Sequence, residues 1–316
     1  MRNRLTVLLL ALALVAAACG PSAADNGEGS TISSSPVTTS TSSTSTTTPD
    51  GTGTTAPSTT TTTGASEQVT VAAYFLLDDT SANFRPGPFL VPVARNVPTT
   101  GDHVLAALAE LLNGPTESEA GSVPAISSAI PDDTVLLGAT VTDGIATVNL
   151  SSEFESGGGT FSMAARLAQV IYTATQFPDI ESVVFEFDGE PVTVFSSEGL
   201  LLEAPLTRDD YLDLVPGILV DAPAYGGTLG NPAHISGSAA VFEAVFRAVI
   251  ADHDGLILID TQIMTDNGTG WGTFDTTIPY EVGEPQWGSL IVWENSAKDG
   301  SRINVREHPV WLTPSS

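Results

Sequence analysis

A run of serine and threonine divides this chain before anything else about it can be decided. From Ser30 to Thr63, 25 of 34 residues are Ser or Thr, broken mainly by proline and glycine as in Pro49-Asp50-Gly51 and Ala56-Pro57. Such a tract has almost no apolar surface to set against the entropy of ordering it, so it is expected to be disordered and to act as a spacer. Cys19 to Ser66 is 48 residues, a reach of roughly 150 Å if extended and a few tens of Å as a coil. The folded part must lie after it, in about 250 residues, enough for two cores of ordinary size.

Ahead of the tract, Arg2 and Arg4 precede Leu5–Ala18, fourteen residues that are apolar apart from Thr6. A basic start, a short apolar run and small residues at its end are the layout of an export signal. The run is shorter than the ~18–20 residues that span a bilayer. Val15-Ala16-Ala17-Ala18-Cys19 resembles the lipobox of bacterial lipoproteins, with Ala16 where leucine is commonest. The resemblance implies cleavage after residue 18 and lipidation of Cys19 on the outer face of the cell membrane.

Charge narrows the partners. The chain carries 37 acidic and 10 basic residues, a formal net charge of −27, which becomes about −29 once Arg2 and Arg4 leave with the leader. Nucleic acid and anionic lipid surfaces both require Lys/Arg clusters, so neither is an expected partner. Membrane attachment falls to the lipid on Cys19. Cys19 is also the only cysteine, so no disulfide is available and the domains must be held by apolar cores.

Order is expected from residue 67. Residues 69–77 and 89–97 read as strands rich in β-branched and aromatic residues, with Pro92 marking an edge or a bulge. Asp102 precedes a helix to Asn113 whose stripe is Val104, Leu105, Leu108, Leu111 and Leu112, stopped by Gly114-Pro115. Asp143-Gly144 and Asp188-Gly189 read as hairpin turns, the first between 134–141 and 145–150, the second between 182–187 and 192–195. Between them a glycine run leads into a helix over 161–176 that faces Ala164, Leu167, Ile171 and Ala174 inward. The order ββαββαββ predicts an α+β domain over 67–205, two helices on a mainly antiparallel sheet. Residues 206–217 read as an interdomain linker. After it, seven short strands separated by turns predict an immunoglobulin-like β-sandwich over 218–313. Of these, 241–251 is the ambiguous piece, and alternation of Phe242, Ala244, Phe246, Ala248 and Ile250 favours a strand.

Residues 67–200 resemble the GerMN domain of sporulation and spore-germination proteins. The likeness rests on Leu111-Leu112-Asn113-Gly114-Pro115, Ala129-Ile130-Pro131-Asp132-Asp133, Thr142-Asp143-Gly144 through Leu150, Phe154, and Gln169-Val170-Ile171-Tyr172. The second domain resembles the immunoglobulin-like domain of bacterial spore-germination proteins through Ala222-Pro223, Ile235-Ser236-Gly237, Trp271-Gly272-Thr273-Phe274 and Asp299-Gly300. Both resemblances imply binding and assembly, and neither brings a catalytic residue with it.

The chemistry-bearing residues are few. The nucleophile elbow, phosphate-binding loops and H-E-x-x-H are missing from the sequence, and His103, His234, His253 and His308 share no metal-ligand spacing. His103 falls in a first helical turn, and His253 in a loop. Asp266-Asn267-Gly268-Thr269-Gly270 has oxygen ligands but no closing glutamate, which favours a tight turn over a calcium loop. Glu153 and Glu155, two apart after a strand, would point the same way on extended chain and are the one pair suited to acid–base work on a sugar. Trp271 and Trp287 sit at strand starts where an aromatic platform for a glycan or protein can be exposed, whereas Trp293 and Trp311 read as core. No cofactor or metal is expected. The reading is a non-enzymatic envelope lipoprotein that binds an envelope protein complex or wall polymer, with self-association through sheet edges as a further mode; the alternative is an enzyme or enzyme-associated module acting on peptidoglycan or another wall glycan.

The organising residue is Cys19. Cys19→Ser should release the protein from membranes or leave its precursor uncleaved, as read by fractionation and fatty-acid labelling; a membrane-bound variant of mature size would refute the assignment.

Overall fold

The computed structural model describes residues 67–79, 87–196, 199–202 and 204–315. The signal peptide, Cys19 and the spacer therefore lie outside the described residues. Among those described, no helix is long and apolar enough to cross a membrane.

The first domain begins with β1 (Gln68–Leu77), which pairs antiparallel along its whole length with β2 (Phe89–Pro98). Helix α1 (His103–Leu112) follows, its first turn closed by Asp102, whose carboxylate accepts from the Val104 and Leu105 amides at 2.9 and 3.1 Å. Leu108 and Leu111 of the expected stripe are buried with Ala107, and Val104 and Leu112 pack against the same core, whereas Leu105 points to solvent. A one-turn helix α2 (Glu117–Ala120), absent from the sequence reading, carries a complete capping box between Thr116 and Glu119. The short β3 (Ile126–Ser127) pairs with the end of β1.

Next, β4 (Leu136–Thr142) and β5 (Ile145–Leu150) form the expected hairpin, with Asp143 and Gly144 both at positive φ as a two-residue turn of this kind requires. Helix α3 (Thr160–Ala174) then crosses to β6 (Ser182–Phe187), which lies parallel to β5. Among the described residues this is the one parallel pairing between strands of an otherwise antiparallel domain, and a crossover helix is what a parallel pairing needs. The second hairpin turn also forms, but its return strand β7 is only Glu190–Pro191; the chain then leaves to pair β8 (Val194–Phe195) with β9 (Leu200–Leu201). The strands therefore divide between sheets ordered β2-β1-β3 and β4-β5-β6-β7, with the β8–β9 ribbon apart.

Helix α3 is buried nearly all round, more than its four-residue apolar stripe foretold. Met163, Leu167, Val170, Ile171 and Ala174 join Phe75, Val148 and Phe185 in the domain core, while Ala165, Ala168 and Tyr172 face a second cluster with Tyr74 and Leu90. Its buried polar residues have defined partners. Thr173 accepts from the Tyr74 amide at 3.0 Å, Gln169 donates to the Tyr74 carbonyl at 3.0 Å, and Gln176, just past the helix, bonds both the amide and carbonyl of Ala72 at 2.7 Å. These side chains satisfy the edge of β1 that β3 does not reach.

The second domain is a two-sheet sandwich. One sheet is ordered β10 (Ile218–Ala222), β12 (Ala233–Ala239), β15 (Gly272–Ile278). The other runs β11 (Thr228–Leu229), β17 (Arg302–Leu312), β16 (Gln286–Asn295), β13 (Val245–Asp252), β14 (Ile257–Met264). The ambiguous segment is a strand only from Val245. Residues 242–244 form a 3-10 turn with Glu243 at φ 56°, which leaves Phe242 exposed, while Phe246, Ala248 and Ile250 fill the sandwich.

The segment read as a linker is packed. Leu206 bridges to Val183 of β6, Arg208–Leu214 form 3-10 turns, and Val215 joins Leu219 and Ala224 against the Tyr74 side of the first domain. Arg208 pins this seam. Its guanidinium lies against the adjoining rings of Tyr74 and Tyr172, at 5.4 and 4.7 Å, and donates to Asp221 at 3.0 Å and to the Thr175 hydroxyl at 2.9 Å. Tyr74 donates its hydroxyl to Asp221 as well. Further along, the free edge of β2 is taken by Tyr225: its amide donates to the Pro92 carbonyl and its carbonyl accepts from Ala94, each at 2.9 Å. Pro92 is thus on an edge, as expected. Beside it Arg306 donates to Asp79 at 3.0 Å over the ring of Phe89, and His308 packs on the Tyr225 ring at 4.3 Å. Burial, with Arg306 alongside, lowers the His308 pKa to about 3.

Two outcomes follow. Removing the Arg208 cation leaves Asp221 and the buried Tyr74 hydroxyl without it, so Arg208→Met should lower the unfolding free energy by about 2–4 kcal/mol in urea titrations; an unchanged midpoint would refute the pin. His308 is neutral in the fold, whereas the unfolded chain takes up its proton near pH 6.5. Stability is therefore lost as pH falls from 6.5, by at most about 1.4 kcal/mol per pH unit. His308→Phe should flatten that slope between pH 6.5 and 5, above the carboxylate range, and the difference between the two profiles cancels the opposite trend of exposed His253.

Candidate functional site

The residues singled out from sequence are not gathered in one place. Glu153 and Glu155 sit in a 3-10 turn, Ser152–Glu155, so they straddle the fully buried Phe154 instead of projecting together as they would on a strand. Phe154 is held by Phe185, Phe187 and Phe195 at centroid distances of 6.1, 5.7 and 5.6 Å, which makes the turn a piece of core. The Ser151 hydroxyl beside Glu153 holds its carboxyl below the usual range, the wrong direction for a general acid. Glu155 accepts from the Ser196 amide at 2.9 Å.

Three other candidates resolve into structure. His103 bonds the Thr99 carbonyl at 3.0 Å and His234 pairs with Asp275 at 2.9 Å. Asp266 takes the amide and hydroxyl of Thr273 at 2.6 and 2.8 Å, closing the tight turn expected there. Among the described residues no group of three His, Cys, Asp or Glu could hold a metal ion.

The tryptophans behave differently. Trp271 is half-buried against the seam cluster. The other three stand together on the outer face of the five-stranded sheet. Alternation along β16 sends Leu290 and Val292 into the sandwich and Trp287, Ser289, Ile291 and Trp293 outward. Trp293 is buried, as expected, but in a small cluster with Val249 and Ala251 on this outer face, whereas Trp311, also read from sequence as core, is only half-buried and lies opposite Trp287. The Trp287 and Trp311 rings meet edge to face at 5.4 Å, and Trp287 remains 52% exposed. Strand alternation alone cannot tell which of two faces is inner; the apolar outer patch misled the reading because it looks like core.

Trp287, Ser289, Ile291 and Trp293 line a groove of about 540 Å³, within the usual range of ligand sites. Its polar groups are spread along the rim. Ser289 donates to the Glu307 carboxylate at 2.6 Å, Asp252 caps the turn after β13, and Asp260 pairs with Arg247. His253 is bonded to Gln286, which with the charge of Asp254 raises its pKa. The Arg302 guanidinium lies 4.2 Å over the Trp293 ring. A second groove, about 650 Å³, follows the seam beneath Arg208, but its polar floor is already engaged by the contacts described above.

Sequence reasoning also missed how the cations are used. The chain has one lysine, Lys298, against nine arginines. Of the six arginines in the described residues, Arg95, Arg166, Arg208, Arg302 and Arg306 each lie over an aromatic ring. The lopsided ratio was the available signal, because a planar guanidinium stacks and forks where an ammonium does not.

Comparison with known proteins follows the same division of the chain. Residues 72–193 match the Germane family, sporulation and spore germination, and residues 217–301 match Gmad2, the immunoglobulin-like domain of bacterial spore germination. No curated protein matches significantly. Among solved structures, a candidate lipoprotein from Clostridium perfringens is 23% identical over 47% of this chain and 93% of its own, with a TM-score of 0.31. The tandem GerMN domains of the Bacillus subtilis sporulation protein GerM are 14% identical over 67% and 62%, TM-score 0.38. The first of those domains alone is 22% identical over 44% and 99%, TM-score 0.33. These overlaps are too loose to carry weight, and the family matches carry the assignment. The chain thus bears a Germane domain followed by a Gmad2 immunoglobulin-like domain, in that order.

Proposed function

We propose that this protein is a non-enzymatic envelope lipoprotein, anchored through Cys19 to the outer face of the cell membrane, whose two domains serve as a binding and scaffold module in a sporulation- or germination-type system. The observation that carries the reading is the free edge of β4. It is an outer strand of its sheet, and Leu137 and Val141 stand 49 and 42% exposed along it, with Val135 53% exposed just before it. An open edge with apolar side chains is a template for adding a strand from a partner or a second copy. The opposite edge of the neighbouring sheet, β2, is closed by Tyr225, which leaves β4 as the contact surface of this domain.

The charged groups support the same reading. Arg95 forks onto Glu119 with two bonds of 2.8 Å, Arg208 and Arg306 bind Asp221 and Asp79, and the Glu153 carboxyl is pulled down instead of up. Side chains committed to holding the fold are not placed to shuttle protons to a substrate.

With Lys298 as the single lysine, amine-directed crosslinking is uninformative. A photo-crosslinking residue at position 137 of the membrane-anchored protein should instead trap an envelope protein, a wall fragment or a second copy, identified by mass spectrometry. The same probe at Glu117, on the surface of α2, should not. Recovery of no adduct specific to position 137 would sink the scaffold reading.

A further inference from the structure

We infer that the outer face of the five-stranded sheet in the second domain is a binding site for an uncharged polysaccharide, with Trp287 as the stacking platform. This rests on the envelope reading above and names a ligand class and a site for it. The geometry supports it in three steps.

First, the platform is rigid and open. Trp287 lies directly opposite Trp311 across β16 and β17, and the edge-to-face contact at 5.4 Å braces its indole while 52% of it stays exposed. The C–H face of a pyranose ring offers a flat apolar surface that suits such an indole, with its hydroxyls left at the perimeter.

Second, those hydroxyls have partners at the groove rim. Glu307 accepts from Ser289, and His253 is bonded to Gln286. Asp252 lies on the same wall. Carboxylate, hydroxyl and imidazole within one groove of about 540 Å³ supply both donors and acceptors at the rim of an aromatic floor.

Third, the alternatives fit less well. Strands β13 and β16, which carry Val249, Ala251, Trp287 and Ile291 of the groove, are paired on both sides, so their backbone offers no edge on which an extended peptide could add a strand. Recognition here has to be by side chains. An anionic polymer would meet Asp252, Asp260 and Glu307 on a chain of net charge −27; a neutral sugar chain meets no such repulsion.

The test is a titration of the detergent-solubilised full chain, following tryptophan fluorescence, with hexa-N-acetylchitohexaose and cellohexaose as neutral probes. A lysine-rich peptide and polyglycerol phosphate serve as charged ones. A saturable spectral change with a neutral oligosaccharide, weakened at least ten-fold by Trp287→Ala and unaffected by Phe242→Ser, supports the site. Phe242 is the control because it is exposed on the same domain away from the groove. Retention of part of the affinity by Trp287→Phe, with unchanged thermal unfolding, separates stacking from a folding defect. No saturable change with either neutral probe, equal binding by Trp287→Ala, or a response to the lysine peptide alone overturns it. If the position-137 crosslinks persist while sugar binding fails, this inference falls and the scaffold reading stands. If sugar binding survives while those crosslinks are absent, the reverse holds.

Discussion

The peptide groups of Ala72 and Tyr74 lie on the part of the β1 edge that β3 does not reach, and polar side chains of α3 and of Gln176 just past it take a strand's place. Gln169, Thr173 and Gln176 fall at intervals of four and three, one stripe of a helix, and between them they meet both the N–H and C=O of each residue. Each such group left unpaired in the interior would cost about 1–3 kcal/mol. The docking of α3 on β1 is therefore set by hydrogen bonding as well as by packing. Because the helix is fixed there, Tyr172 on its next face is presented to Arg208, and the apolar residues on its far side close over Phe75 and Phe185.

The other edge of β1 leads to the second domain by the same logic. In its antiparallel pairing with β2, Tyr74 stands opposite Pro92. The proline's missing N–H is tolerated because that position faces away from β1, and its carbonyl is free to accept from Tyr225. A strand edge that would otherwise be an aggregation hazard is thereby closed by a turn from the immunoglobulin-like domain. The arginines complete the seam. In a chain so acidic each cation has many carboxylates to choose from, yet Arg208 and Arg306 are spent on Asp221 and Asp79 beneath aromatic rings, where low dielectric makes the pairing strong and specific. Near them the Tyr225 hydroxyl, the Nε of Arg306 and the Nδ1 of His308 have no hydrogen-bond partner. Burial there, with the Arg306 charge alongside, keeps His308 neutral.

Much of the fold was legible because it depends on neighbours in sequence. Asp143-Gly144 makes a hairpin whatever lies around it, since a two-residue turn needs positive φ at both positions. Asp102 caps α1 through groups two and three residues away. The errors came where a partner is remote. Val192 to Phe195 has a strand's composition, but the returning chain is diverted to pair with β9 after two residues. Glu153 and Glu155 were placed on an extended segment, yet the pull of Phe154 into the ring cluster winds that segment into a turn and parts them. The tryptophans of β16 and β17 read as a mixture of rim and core, and only the partner sheet reveals which face is covered.

What the sequence determined by itself is the order of the parts: an apolar run ahead of Cys19, a Ser/Thr tract, an α+β domain and a β-sandwich, because composition, turn chemistry and periodicity are local properties of the chain. What the tertiary structure decided is how the parts are used. Pairing of distant segments turned the supposed linker into a packed seam around Arg208, removed Glu153 and Glu155 as a convergent pair, and left β4 and the Trp287 face uncovered. Those outcomes depend on which surfaces meet across sequence separations that run from tens of residues to more than a hundred, and no local pattern records that.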